Sequence, residues 1–252
     1  MKKSWLRYCF FLIVLHLSVI GYAHENTSFE HSYNLHIKNI VLDHRFDLHK
    51  VELDLSFNDS FVGDYAIEGL NLEHMREIVL TFIQNYEDKA AYWEILNQDL
   101  ILHLIKEFPN LDEITSQLRV FASPTKPHDR CSTVYYDKVR GMTEHFSFEL
   151  ELEDLSPIKD EKSYLFISFD YMKNISKDSY VNFFDIKGDM VKLFKKYYSK
   201  YNPLTFLHVS TEELLKKYSA ITSFKIQLKH LLFKEEERED HCEWTMIIHN
   251  GT

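Results

Sequence analysis

Twice along its 252 residues the chain runs through the same order of patterns: two alternating stretches, two helical stripes, then two more alternating stretches. The second round follows the first by about 110 residues. In the first round Val51, Leu53, Leu55 and Phe57 alternate with Glu52, Asp54 and Ser56, the period of a half-buried strand, and a preceding strand spans about Asn34 to Asp43. Leu72, Met75, Val79, Phe82 and Tyr86 then recur at helical spacing behind Asn71, a residue suited to cap a helix N-terminus. Trp93, Leu96, Leu100, Ile101, Leu104 and Phe108 form a second stripe that ends at Pro109. Strands are expected at Ile114–Ala122 and Cys131–Lys138.

The second round opens with Phe146, Phe148, Leu150 and Leu152 alternating with Ser147, Glu149, Glu151 and Glu153, followed by Leu165, Ile167, Phe169 and Tyr171. Asp185 is placed to cap a helix carrying Ile186, Met190, Phe194, Tyr197 and Tyr201, and Ser210 with Glu213 has the spacing of a capping box before a shorter helix of Leu214, Leu215 and Tyr218. Phe224–Leu228 and Trp244–Ile248 supply the closing strands. Identity between the two rounds is slight, so the repeat lies in element order and spacing.

That order predicts an α+β chain of two ββααββ modules, at 24–140 and 141–252, each an antiparallel sheet with its paired helices on one face. The opposite face is expected to mix Glu149, Glu151, Lys225 and Lys229 with Tyr164, Phe166, Tyr136 and Val134, a combination suited to a barrel lining or subunit interface. Two independent α+β sandwiches are the alternative.

Lys2, Lys3 and Arg7 precede a thirteen-residue run, largely apolar, from Tyr8 to Ile20, and Gly21 and Ala23 place small residues at −3 and −1 of a cleavage site. Residues 1–23 therefore read as a signal peptide: the run falls short of the ~20 residues a membrane-spanning helix needs. The mature chain is expected to be soluble and exported, to a periplasmic or extracellular compartment. Its removal takes three positive charges from a net charge of −10, leaving −13 and no basic block to follow a phosphate backbone, so nucleic acid is not an expected partner. Of three cysteines, Cys131 and Cys242 would remain, and an oxidising compartment permits a disulfide between them without establishing one. Asn-x-Ser/Thr acceptors stand at Asn26, Asn58, Asn174 and Asn250, of consequence only in a host that glycosylates exported proteins.

The element order resembles the tunnelling fold, whose members include dihydroneopterin aldolase, GTP cyclohydrolase, pyruvoyl tetrahydropterin synthase and, as a tandem duplication, urate oxidase. The resemblance is architectural over residues 33–250 and sharper at Tyr92–Leu100, Phe108-Pro109, Leu118-Arg119-Val120 and Lys126-Pro127, which are similar to the helix, strand and Lys-Pro turn of the aldolase-like members. It implies a purine or pterin-like ligand at module interfaces and a homo-oligomer, since the sheet edges would otherwise lie open. Glu94 matches the acidic or amide residue that holds the heterocycle edge; a carboxylate accepts two N–H donors as a pair, and a helix N-terminus helps to stabilise its charge. The plainer reading of Glu94 is a solvent-facing helix residue beside buried Trp93. Lys126 matches the catalytic lysine of those members through two residues only, against the reading of an exposed turn lysine. Asp64 and Tyr65, in the loop that borders the ligand site in this fold, would supply an acceptor and a stacking face; Asp178 and Tyr180 occupy the corresponding second loop.

The departures bear on chemistry. Where urate oxidases carry Thr-Asp and Lys-Asn-Thr sequences near the first helix, this chain has Asp64-Tyr65-Ala66-Ile67-Glu68-Gly69-Leu70-Asn71. No His-x-His pair is present, and His31, His36, His44 and His49 follow no recognised zinc spacing, so they read as surface residues and neither metal nor cofactor is expected. Nucleophile elbows, phosphate-cradling glycine loops and H-E-x-x-H helices are missing from the sequence, and Cys131 near His128 reads as a buried thiol rather than a nucleophile. The leading expectation is thus a small-molecule binder without an evident catalytic set. The alternatives are an enzyme anchoring such a heterocycle on Glu94 with Lys126 transferring protons, and a structural or protein-interaction module of the cell envelope.

Overall fold

A computed structural model describes residues 28–62, 71–151, 162–235 and 238–249. Residues 1–23, read as a signal peptide, and Asp64 and Tyr65 lie outside that set, as do Asn26 and Asn250. The element order is β1 (Ser28–His44), β2 (Asp47–Val62), α1 (Leu72–Gln84), α2 (Trp93–Glu107), β3 (Leu111–Val120), β4 (Arg130–Asp137), then β5 (Gly141–Glu151), β6 (Lys162–Tyr171), a 3-10 turn (Lys177–Ser179), α3 (Phe183–Tyr197), α4 (Pro203–Lys217), β7 (Ile221–Glu235) and β8 (Arg238–His249). The ββααββ order recurs as expected.

All eight strands join in one sheet in sequence order, every neighbouring pair antiparallel. The two halves therefore share a continuous sheet, joined where β4 pairs β5. Period-two alternation sends Val51, Leu53 and Leu55 of β2, Ile114 and Leu118 of β3 and Phe146 and Phe148 of β5 to one face, and the helices cover it with Met75, Val79 and Ile83 of α1, Leu96, Leu100 and Leu104 of α2, and Ile186, Met190 and Phe194 of α3. Each such side chain contributes about 1.5–3 kcal/mol when fully buried.

Asn71 caps α1 as expected, accepting from the His74 amide at 3.1 Å. The second-half caps differ from expectation. Asn182, not Asp185, caps α3, so Asp185 falls in the first turn and Tyr201 lies beyond the helix end. Asn202 caps α4 with Pro203 at its first position; proline there has no intrahelical donor to lose and its φ already suits a helix. The helix thus begins a full two turns before Ser210, which is buried within it, and Glu213 accepts from the Tyr197 hydroxyl at 2.6 Å instead of closing a capping box.

The open face also needs one correction. Val134 and Tyr136 share the phase of Arg130 and Ser132 and lie on the helix side, Val134 fully buried. The rest of that face assembles as read: Glu149 pairs with Phe166, Glu151 with Tyr164, and Tyr164 with Lys229. Arg119, Cys131, Ser147, Ser168 and Lys225 make a cross-strand row on it, in a shallow cleft of about 500 Å³.

With β4 and β8 four places apart, Cys131 and Cys242 are separated by about 19 Å at roughly 4.8 Å per step. A disulfide requires Cα atoms within about 7 Å. That spacing is too wide for a bridge within one chain, and Cys131 is a half-buried thiol, free among the described residues, that burial makes harder to ionise.

Candidate functional site

The helix side of the sheet carries an unusual load of buried polar groups where α2 crosses the β4–β5 junction. Asn97 donates to the carbonyls of Ser116 and Ser132 at 3.2 and 3.0 Å and accepts from the Ser116 hydroxyl, so its amide ties α2 to β3 and β4. One residue on, Gln98 donates to Glu144 of β5 at 3.1 Å, and Glu144 also accepts from the Tyr180 hydroxyl. Lys177 reaches Asp99 at 2.7 Å. The first half is therefore bonded to the second through one helix.

Glu94 belongs to this junction and is not solvent-facing: it is 3% exposed and accepts from the Tyr171 hydroxyl of β6 at 3.1 Å. Burial, reinforced by the nearby Glu144 carboxyl and opposed by Tyr171 and Arg45, pushes its pKa up to about 7. Glu144 is raised to about 7 as well, again by burial. The same carboxyls hold the Tyr171 and Tyr180 phenols far above their ordinary ionisation range, desolvation being the larger cause.

A second group gathers at the start of α2, beneath the β1–β2 turn. Arg45 and Phe46 both have positive φ, 53° and 63°, the geometry of a two-residue hairpin turn that glycine or asparagine ordinarily occupies. Three contacts hold this costly turn: the Arg45 amide donates to the Lys89 carbonyl at 2.6 Å, Lys126 Nζ donates to the Arg45 carbonyl at 2.9 Å, and the Arg45 guanidinium lies 4.6 Å above the Tyr92 ring. Lys126 is thus part-buried and docked, not an exposed turn lysine; burial, with Arg130 and Arg45 nearby, lowers its pKa. Asp47 accepts from Ser123, Thr125 and the Leu48 amide, which together hold its pKa down to about 2.

His44 and His49, expected at the surface, are fully buried, with ring centres 4.4 and 5.2 Å from that of Trp93. Both ring nitrogens of each have no hydrogen-bond partner among the described residues, the Ala91 and His44 carbonyls lying near them without reaching bonding geometry. Desolvation lowers each pKa to about 4, so both rings are neutral at physiological pH. Arg130 is 2% exposed, with Nε and Nη2 likewise unpartnered and its guanidinium 5.6 Å from the Phe183 ring. Burial lowers its pKa to about 10, which leaves it charged. Glu94, Asp47, Asp129 and Arg45 all lie within its electrostatic reach, and Arg130 and Lys126 within that of His49. Glu94 and Lys126, singled out separately in the sequence, thus meet around Arg45 and Arg130.

The sequence does not mark Arg130, Glu144 and Tyr171 as site residues and reads His44 and His49 as surface residues, although each shares the inward phase of its strand: His49 precedes Val51 and Leu53, Glu144 precedes Phe146 and Phe148, and Arg130 precedes Ser132 and Val134. A polar residue in register with a buried apolar run was the available signal. His36 stands apart, paired with Asp54 on the exposed side, and His128 contacts Lys187. Asp178 is the middle residue of the 3-10 turn and is exposed. Among the described residues no group of three or more His, Cys, Asp or Glu is placed to hold a metal ion.

Solved structures match this architecture over nearly its whole length. A uricase from Arthrobacter globiformis superposes with a TM-score of 0.63 at 10% identity, covering 88% of this chain and 94% of that one. A uricase from Bacillus fastidious gives 0.59 at 9%, covering 90% and 94%, and a urate oxidase from Bacillus sp. TB-90 gives 0.57 at 8%, covering 87% and 100%. The chain has the tandem tunnelling fold. At such identity the likeness is one of fold. No family model and no curated protein sequence matches the chain. Within the tunnelling fold, its Glu94 to Arg130 group lies on the helix side of one continuous sheet, and no helix among the described residues is long and apolar enough to cross a membrane.

Proposed function

We propose that this protein binds a small, planar, polar heterocycle of the purine or pterin kind where α2 meets the junction of the two halves. The observation that carries this reading is Glu94: a buried carboxyl in the first turn of α2, with its pKa near 7 and guanidinium groups within reach. Such a carboxyl accepts ring N–H groups when ionised and offers its own proton when neutral, and the helix N-terminus favours the charge it gains on ionising. The uricase-like architecture supports the ligand class by analogy. We take the protein to be exported, on the signal-peptide pattern of residues 1–23, and to act as a homo-oligomer, because β1 and β8 each lack a second neighbour among the described strands.

The test is calorimetric titration of the full mature protein with urate, xanthine and a pterin, beside native mass spectrometry of the exported protein. Saturable binding that is weakened at least tenfold by Glu94→Ala, with the variant folded by circular dichroism, is the expected result. Absence of binding across the panel, or an unaltered affinity in the variant, removes this function. A catalytic version has one observation in its favour, the lowered pKa of Lys126 beside Arg45. It predicts turnover of a bound heterocycle that Lys126→Met abolishes while binding survives.

A further inference from the structure

The heterocycle reading uses Arg130 only as a nearby charge and leaves the unpartnered nitrogens of three buried side chains, His44, His49 and Arg130, without a role. An unpaired guanidinium taken out of water is among the costliest features a fold can carry, and each missing hydrogen bond of a buried polar group costs about 1–3 kcal/mol. The face of Phe183, 5.6 Å from the guanidinium carbon, compensates charge but accepts no N–H hydrogen bond of ordinary strength.

None of the neighbouring carboxylates hydrogen-bonds Arg130 Nε or Nη2, and each has a partner elsewhere. Asp47 is committed to Ser123, Thr125 and the Leu48 amide, Asp129 accepts from the Ala122 amide at 2.8 Å, and Glu94 accepts from Tyr171. Around the unpartnered nitrogens stand two more cations, Arg45 and Lys126, both within electrostatic reach of Arg130. The N-cap of α2, Tyr92, provides no side-chain acceptor to the first turn of that helix. Every neutral imidazole also has one N–H to donate.

We propose that this buried cluster, between the β1–β2 turn, the β3–β4 turn and the start of α2, is a seat for a small oxyanion: inorganic phosphate, or the phosphate or carboxylate group of a larger ligand. Arg130 provides the paired donors through Nε and Nη2, His49 a further donor, and Lys126 the second positive charge. A tetrahedral or planar oxyanion has the several acceptor lone pairs this donor set lacks, and a guanidinium grips it through two parallel hydrogen bonds. The inference is independent of the heterocycle reading, since an anion alone would occupy the seat.

The experiment uses the full mature protein at fixed ionic strength, with sodium chloride as the reference. Thermal denaturation and isothermal titration are recorded with inorganic phosphate, with phenyl phosphate and with benzoate. The expected result is saturable stabilisation by at least one of the three, with a dissociation constant in the millimolar range or below. Free phosphate as the effective probe identifies a seat for the ion itself; phenyl phosphate or benzoate alone identifies a seat for a ligand-borne group. Arg130→Met should weaken binding at least tenfold while leaving the unliganded melting temperature unchanged or higher, because it removes a desolvated guanidinium whose Nε and Nη2 have no hydrogen-bond partner. Lys126→Gln should weaken binding several-fold, and serves as the readout if Arg130→Met does not fold. The proposal is overturned if all three probes behave as chloride does, or if the folded variants bind as tightly as the parent. A negative purine and pterin panel beside positive phosphate binding removes the heterocycle reading alone; the reverse removes this one.

Discussion

Replacing Glu94 with glutamine isolates the energetic consequence of burying a titratable carboxyl at the junction. In the unfolded chain this group ionises near its ordinary value of 4.5, and in the fold it does so near 7. Below pH 4.5 both states hold the proton and its contribution is fully present. Between the two values only the folded protein holds it, so stability falls as pH rises, and the loss is complete above about 7. At about 1.4 kcal/mol per pH unit the window amounts to roughly 3 kcal/mol. Glutamine keeps an oxygen to accept from Tyr171 and has nothing to ionise, so Glu94→Gln should match the parent near pH 4.5 and exceed it by about 2–3 kcal/mol at pH 8. Urea unfolding followed by tryptophan fluorescence reads this directly, since Trp93 adjoins the site. With a urea dependence of about 2–3 kcal/mol per molar for a chain of this size, the midpoint difference at pH 8 is about 1 M. His44 and His49 act in the opposite sense, their folded pKa values of about 4 eroding stability as pH falls below 6.5, but they do so equally in both proteins and cancel in the comparison. Parallel midpoint curves for the two proteins from pH 4.5 to 8 would refute the reasoning.

Three further outcomes are expected. His49→Phe should make the protein less sensitive to acid, gaining stability relative to the parent between pH 6.5 and 4, as chemical denaturation at pH 5 and 7 would show. Asn97→Ala should cost about 2–4 kcal/mol in the same assay, because it leaves the Ser116 hydroxyl and two strand carbonyls short of a buried partner. Iodoacetamide should label the Cys131 peptide at least about tenfold faster after unfolding than before, and non-reducing peptide mapping should find no Cys131 to Cys242 link within the monomer.

The strands were legible where alternation is strong. Val51 to Phe57 and Phe146 to Leu150 determine their own faces because a one-residue slip would expose every apolar side chain. Helix starts are legible only where the cap lies next to the stripe it serves: Asn71 is such a cap, whereas the helix capped by Asn202-Pro203 also carries Ser210 and Glu213, whose spacing is that of a capping box but whose position is mid-helix. Glu94 was singled out through its resemblance to a family motif, yet its burial was not foreseen, since Trp93 already occupies the inward stripe and only the second half's Tyr171 gives Glu94 a partner. Arg130 and the two histidines were passed over because a polar residue is ordinarily read as an exposed one.

By itself the chain's apolar periodicity determined which segments become strands and helices, their order, and the repetition of that order, because those choices follow from short-range spacing and from which face must leave water. The tertiary structure alone decided that both halves continue one sheet, that α2 of the first half bonds to β5 and β6 of the second, and that three separated segments bring Arg45, His49, Glu94 and Arg130 within electrostatic reach. Those outcomes depend on partners about 35 to 80 residues apart, where desolvation and hydrogen-bond geometry are set by the assembled core and leave no periodic trace in the sequence.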